Sequence, residues 1–189
     1  MSNRRLIVAI SGASGVMYGV RALERLRALG IETHLIMTPA ARITLAQETD
    51  LKVRDVEALA DITYHPDDVT ASISSGSFLT LGMIVAPCSI RSLSEIATGV
   101  TSGLLARAAD VTLKERRRLV LLVRETPLHA GHLKSMLAAT EIGAVILPPV
   151  PAFYLRPKSI AEIIDHTVIR SLDLLGLEIN DVQRWEGLH

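Results

Sequence analysis

Five short apolar runs in this chain each lead into residues that can bind an anion or move a proton. Residues 6–10 lead into Ser11-Gly-Ala-Ser-Gly15, 31–37 into Thr38-Pro39, and 83–87 into Cys88-Ser89-Ile-Arg-Ser92. Residues 119–123 lead into Arg124-Glu125-Thr126, and 144–147 into Pro148-Pro-Val-Pro-Ala-Phe-Tyr154. Four of the five supply hydroxyls, a guanidinium or small residues that expose backbone amides. That is a phosphate-binding composition, because helix N-termini attract anions and Gly and Ser let the backbone come close. The glycines at 12, 15 and 19 do not spell G-x-G-x-x-G, and Met37-Thr38 stand where an acidic residue would hold a ribose hydroxyl. NAD is therefore disfavoured. A hydroxyl at that N-cap suits a terminal phosphate monoester such as that of FMN. Gly12 and Gly15 taken alone are equally compatible with a plain tight turn.

Other side chains carry two readings each. Cys88 is the single cysteine. With no basic partner placed beside it, it reads as a small apolar residue at a strand end rather than a nucleophile. His129 and His132 lie three apart on one predicted helix; no third ligand accompanies them, so a surface pair and no metal site is the expectation. Arg107 and Lys114 are seven apart and share a helix face. With Arg116, Arg117 and Arg118 they form either a solvated basic face or a second anion site, for this subunit or a neighbour. Tyr154 and Arg170 are similarly open. Glu48 and Glu125 are the carboxylates nearest the mouth, either solvated charges or an acid/base pair tuned by burial beside a flavin.

The elements that must position these residues alternate. Strands at 6–10, 31–37, 83–87, 119–123 and 144–147 are separated by helical patterns at 17–29, 38–47, 52–60, 104–117 and 126–142. Ser159-Ile-Ala-Glu162 is a capping-box pattern that opens a last helix to about residue 175. Thr38-Pro39 and Thr126-Pro127 both look like an N-cap followed by proline at the first helical position. Residues 61–82 read as a long excursion with a short edge strand. The expectation is an α/β Rossmann-like or flavodoxin-like fold, a doubly wound parallel sheet in three αβα layers. A single domain over 1–189 is expected, ending in a C-terminal helix and tail (about 159–189). The composition agrees with that. Of 189 residues 49% are hydrophobic, which excludes disorder. Lys+Arg 20 balances Asp+Glu 20, which argues against nucleic-acid binding. No apolar run is long enough for a bilayer and no signal peptide is recognisable, so no membrane association and a cytoplasmic location are expected.

Taken together, in order and at this spacing, several segments resemble the UbiX-type flavin prenyltransferases from about Arg5 to Trp185. They are Ile10-Ser-Gly-Ala-Ser-Gly15, Glu48-Thr-Asp50, Ala71-Ser-Ile-Ser-Ser-Gly-Ser77, Pro87-Cys-Ser89, Arg107-Ala-Ala-Asp110, Leu113-Lys-Glu-Arg-Arg117, Arg124-Glu-Thr-Pro127, Gly143-Ala-Val-Ile146 and Pro151-Ala-Phe-Tyr154. The resemblance implies a flavoprotein that assembles as a homododecamer of trimers with sites at subunit junctions. It implies metal-independent transfer of a dimethylallyl group from dimethylallyl phosphate to N5 and then C6 of reduced FMN. The product, prenylated FMN, goes to a UbiD-type decarboxylase, in ubiquinone biosynthesis or aromatic-acid decarboxylation. By the same resemblance Gly12, Ala13, Ser14, Thr38, Ser89, Ser92 and Arg124 match FMN-contacting positions. Arg107, Lys114, Glu125, Tyr154 and Arg170 match the prenyl-phosphate pocket. Trp185 would shield the allylic cation, and Ser14 and Glu48 match positions tied to proton handling. Ser14, Glu48, Lys114 and Glu125 are thus the expected catalytic set.

Two residues depart from the family pattern. Arg118 stands where proline commonly follows the Lys-Glu-Arg-Arg run, and position 91 is Arg; changed interface or loop contacts are expected. Two other functions compete. One is an FMN-binding accessory or carrier subunit without chemistry of its own. The other is a flavin-dependent decarboxylase, which would need a histidine base near the flavin, and none follows Ile10 or Val123.

Overall fold

A computed structural model describes residues 4–179. Its six strands are β1 (Arg5–Ile10), β2 (Glu32–Met37), β3 (Ile62–Tyr64), β4 (Gly82–Cys88), β5 (Arg118–Val123) and β6 (Ala144–Ile146). They form one parallel sheet in the order β3-β2-β1-β4-β5-β6. The helices are α1 (Met17–Ala28), α2 (Pro39–Glu48), α3 (Val53–Glu57), α4 (Ile90–Thr98), α5 (Leu104–Lys114), α6 (Ala130–Glu141) and α7 (Ile160–Leu174). The chain winds outward from β1 to β3, then crosses back to place β4 on the other side of β1. Strand order reverses between β1 and β4, and the crevice beyond their carboxyl ends is where such sheets bind ligands.

The strands are near-continuous apolar runs because both sheet faces are covered. Alternate residues go to opposite layers. Leu6, Val8 and Ile10 of β1 pack with Val20, Leu23 and Leu26 of α1 and Val168, Ile169 and Leu172 of α7. Ile7 and Ala9 face Leu93 and Ile96 of α4 and Leu104, Leu105 and Ala108 of α5. Pro87 lies in a central strand although proline cannot donate to a ladder. It sits where the β4–β5 register shifts between Val85 and Cys88, the one kind of interior position that tolerates it.

Three expectations need correction. Thr126-Pro127 does not start a helix: α6 begins at Ala130, with His129 as its cap, Nδ1 accepting from the Gly131 amide at 3.0 Å. The acceptor that satisfied the orphan amide lay three residues later. The helix expected over 104–117 ends at Lys114, and Arg116 takes a left-handed φ of 57° in the turn into β5. The Ser159–Glu162 box is half formed: Ser159 Oγ accepts from the Glu162 amide at 3.2 Å, but Glu162 reaches the amide of Lys158. Among the described residues no helix is long and apolar enough to cross a membrane.

Candidate functional site

The carboxyl ends of β1 and β4 are stitched together by Ser11, a buried residue that sequence reasoning passed over. Its hydroxyl donates to Pro87 O at 2.8 Å and accepts from the Ser89 amide at 2.7 Å. Its signal was only a polar residue directly after an apolar strand. The next residue must be small. A Cβ at Gly12 would lie 2.3 Å from the Ala40 Cβ, so the β1 turn touches the first turn of α2. Gly15 has φ +100°, a left-handed conformation that side chains rarely adopt. That turn aims two amides at one carboxylate: Gly15 N donates to both Glu48 oxygens (3.1 and 2.9 Å) and Val16 N to Oε2 (3.1 Å). Burial pushes the Glu48 carboxyl up. The Ser14 hydroxyl, these amides and the Arg124 charge outweigh it and hold the group below the ordinary glutamate range. Glu48 therefore stays ionised at neutral pH, at the end of α2, 33 residues from the turn it organises.

Two helix N-termini open beside this turn, each with a hydroxyl cap. Thr38 Oγ1 accepts from the Ala41 amide at 3.1 Å, with Pro39 in the first turn. Ser89 Oγ accepts from the Ser92 amide and donates to Ser92 Oγ, both at 3.2 Å. Gly12, Thr38, Ser89 and Ser92 share the wall of a cavity of about 510 Å³ with Gly103 and Ala106 from the start of α5. The wall also includes Arg91, which pairs with Glu95 at 3.0 Å. Helix α4 turns Arg91 to the cavity rim, beside Pro66 and Asp67 of the long loop. Ala13, Ser14 and Arg124 do not line that cavity. Arg124 lies close enough to act electrostatically on Glu48 and on Tyr18, whose phenol burial pushes up against the opposing pull of Arg124. Tyr18 is a second residue missed; its signal was its place three residues after Gly15. Glu125 Oε1 accepts from the Thr126 amide at 3.0 Å. Cys88 is fully buried, and burial pushes its thiol up to about 12, which removes it as a nucleophile.

The other basic candidates are not gathered at this mouth. Arg107 is one turn into α5 and pairs with Asp110 at 2.7 Å. Lys114 lies at the far end of that helix, about 15 Å along the axis from its start. It pairs with Glu115 at 2.5 Å, against the loop at Gly76. The spacing that puts Arg107 and Lys114 on one face also puts them two turns apart. Tyr154 and Arg170 are brought to one corner by a residue not anticipated, His166. The Tyr154 ring meets the His166 ring edge-on, centroids 6.4 Å apart, and Arg170 follows one turn along α7, paired with Asp173 at 3.2 Å. Arg118 donates to Leu174 O, tying β5 to the C-terminal end of α7. His129 and His132 have ring centroids 3.6 Å apart. Among the described residues no group of three or more His, Cys, Asp or Glu could hold a metal ion. Trp185 lies outside the described residues.

The model of the Flavoprotein family matches residues 1–168. The flavin prenyltransferase UbiX of Escherichia coli K12 is 60% identical over 187 residues, covering 97% of this chain and 99% of that protein. This chain belongs to the UbiX-type flavin prenyltransferases. Among solved structures, AnUbiX (PadA1) in complex with FMN and dimethylallyl pyrophosphate superposes with a TM-score of 0.97 at 50% identity, covering 99% of this chain and 100% of that one. A dodecameric FMN-dependent UbiX-like decarboxylase from Escherichia coli O157:H7 superposes with a TM-score of 0.94 at 49% identity, covering 97% and 100%. The hydroxyl-capped mouth at the β1–β4 reversal is thus the mouth of a UbiX-type fold, and the doubly wound architecture expected from the sequence is the family's own.

Proposed function

We propose that this flavin prenyltransferase joins the dimethylallyl group of dimethylallyl phosphate to N5 and then C6 of reduced FMN, and that a UbiD-type decarboxylase receives the product. One observation carries the reading: the near-complete superposition on AnUbiX, whose structure holds FMN and dimethylallyl pyrophosphate. The residues fit such a nucleotide. Two hydroxyl-capped helix N-termini meet at a cavity of about 510 Å³, and β2 ends in Met37-Thr38 rather than an acid that would repel a phosphoryl group.

Reduced FMN supplies nucleophilic ring positions and a π face. The protein supplies everything around them. Gly12, Ala13, Ser14, Thr38, Ser89, Ser92 and Arg124 hold the nucleotide, with Thr38 and Ser89 presenting hydroxyls and helix dipoles to its phosphoryl end. Glu48 fixes Ser14 and, ionised, is positioned to take a proton. Arg107, Tyr154, Arg170 and Glu125 form the prenyl-phosphate pocket. The cations stabilise the departing phosphate as its charge grows. Lys114, remote from the mouth of its own chain, serves the site of a neighbouring copy, and Trp185 shields the allylic cation. Support for assembly comes from uncovered apolar side chains: Leu133 and Leu137 of α6 are more than half exposed, and Phe153 and Ile160 about three-quarters. A homododecamer with sites at subunit junctions covers them. The chain acts in the cytoplasm as one flavoprotein domain, its C-terminal helix and tail reaching the site or the interface.

The test is anaerobic. Protein, reduced FMN and dimethylallyl phosphate are mixed, and a flavin heavier by one prenyl unit is sought by mass spectrometry, with the diphosphate as a parallel arm. Absence of the adduct while FMN is bound refutes catalysis. Lys114→Ala and Glu125→Gln should keep FMN and lose product; full function in both would leave a carrier.

A further inference from the structure

His166 has no assigned role, yet it occupies the junction of the proposed prenyl-phosphate pocket. Its ring lies edge-on to Tyr154 with an interplanar angle of 90°. Arg170 is four residues on, one turn along the same face of α7. The imidazole is half-buried and its nitrogens make no hydrogen bond among the described residues. It is a basic group set between a phenol and a guanidinium.

We propose that His166 is a positioning residue of the prenyl-phosphate pocket, holding the Tyr154 ring in place and taking up one proton from solvent when the phosphate ester docks. This rests on the pocket assigned above. On α7 itself, Glu162 lies one turn before His166, its carboxylate accepting from the Lys158 amide, and Arg170 lies one turn after it. Arg170 opposes its protonation, Asp173 favours it, and Tyr154 stands at its edge. Helix α1, packed against α7, offers Arg21 and Arg25, but both are committed to Asp165 on the adjoining face. Strand β5 brings Val120 and Leu122 to the shared core, and its Arg118 is committed to Leu174 O at the C-terminal end of α7. Burial first, then the Arg170 charge, lowers the imidazole pKa, so it is neutral in the empty pocket at pH 7. A phosphate ester beside Arg170 reverses the sign of the local field, and the imidazolium then adds a second cation to the site. The proton balance is one taken from solvent on binding and one returned on release.

The experiment measures kcat and KM for dimethylallyl phosphate, with reduced FMN saturating, from pH 6 to pH 8.5. The wild-type chain is compared with His166→Phe, which keeps a ring against Tyr154 and drops the titration, and with His166→Gln. In His166→Phe, KM should rise about tenfold at pH 6, the worth of one charge-assisted contact, and approach the wild-type value at pH 8.5. kcat should change much less. Comparing variant with wild type at each pH removes the ester's own ionisation. His166→Gln should lose the same pH dependence and raise KM at both ends, having lost the ring. A KM ratio that is flat across the range for both variants overturns the proposal, whatever its size. Tyr154→Phe and Arg170→Ala serve as separate arms: if neither raises KM, the pocket assignment itself falls.

Discussion

The tightest approach in the mouth is between Gly12 and the first turn of α2, and substituting alanine there probes whether the site depends on it. The added carbon would sit 2.3 Å from the Ala40 Cβ and 3.2 Å from its Cα. Carbon atoms pack no closer than about 3.5 Å without repulsion, so the two must part by about 1.2 Å. Gly12 is not in the left-handed region, so the backbone itself tolerates alanine and the whole cost is steric. Overpacking of this kind costs about 1–3 kcal/mol of stability. The functional cost is larger in proportion, because the displaced piece carries Thr38 and its cap. A misplacement of about 1 Å at a reacting site lowers rates on the order of 100-fold. Gly12→Ala should therefore bind FMN at least about tenfold more weakly, a loss of about 1.4 kcal/mol. It should also unfold at lower urea at matched protein concentration. Flavin fluorescence quenching gives the Kd. An alanine variant with FMN affinity within about twofold of wild type and unchanged urea midpoint would refute the reasoning, because α2 would then yield without cost.

Glu48→Gln keeps the shape of the side chain that holds the Ser14–Val16 turn and removes its charge. Stability at pH 7 should fall by about 1 kcal/mol, the difference between charged and neutral acceptors after solvent screening of an exposed carboxylate. The Glu48 pKa is depressed in the folded chain, so its advantage over Gln is present above about pH 4.5 and is lost as pH falls through the lower folded value. A difference that stays constant from pH 6 to pH 3 contradicts this. Asp165→Asn removes the carboxylate that accepts from Arg21 Nε at 2.8 Å and from Arg25, leaving two guanidiniums facing each other between α1 and α7. A loss of about 2–3 kcal/mol in urea unfolding is expected for a partly buried cluster, and a loss under about 0.5 kcal/mol would show that the clamp is idle. The Cys88 thiol, buried and pushed up to about 12, should resist a thiol-specific alkylating reagent at pH 8 and react on addition of denaturant; rapid labelling of the native chain would show that the β4 end opens.

What could be read along the chain was what neighbouring residues decide. The runs at 6–10, 83–87 and 119–123 announced strands buried on both faces, because a parallel sheet covered by helices needs no polar alternation. Thr38-Pro39 announced a cap, and Thr38 makes it with Ala41, three residues away. Thr126-Pro127 carried the same signature and failed, because the cap that forms is the His129 ring accepting from Gly131. Two candidate acceptors within four residues are not ranked by composition. Arg107 and Lys114 share a face by arithmetic, but the same arithmetic separates them by two turns, and the structure pairs each with a different carboxylate, Asp110 and Glu115.

By itself the sequence determined the alternation of strands and helices, the doubly wound class and the kinds of residue at each strand end, since these follow from local propensity and apolar period; the order of the strands, with its reversal between β1 and β4, came from the structure. Only the tertiary structure decided which of those residues meet. Ser11 reaches Ser89 across 78 residues, Glu48 closes on Gly15 across 33, and His166 falls between Tyr154 and Arg170. The reason is physical: a strand or cap is stabilised by its neighbours in the chain. A site is stabilised by contacts that exist only after the crossover helices have packed and the distant strand ends are held at one edge of the sheet.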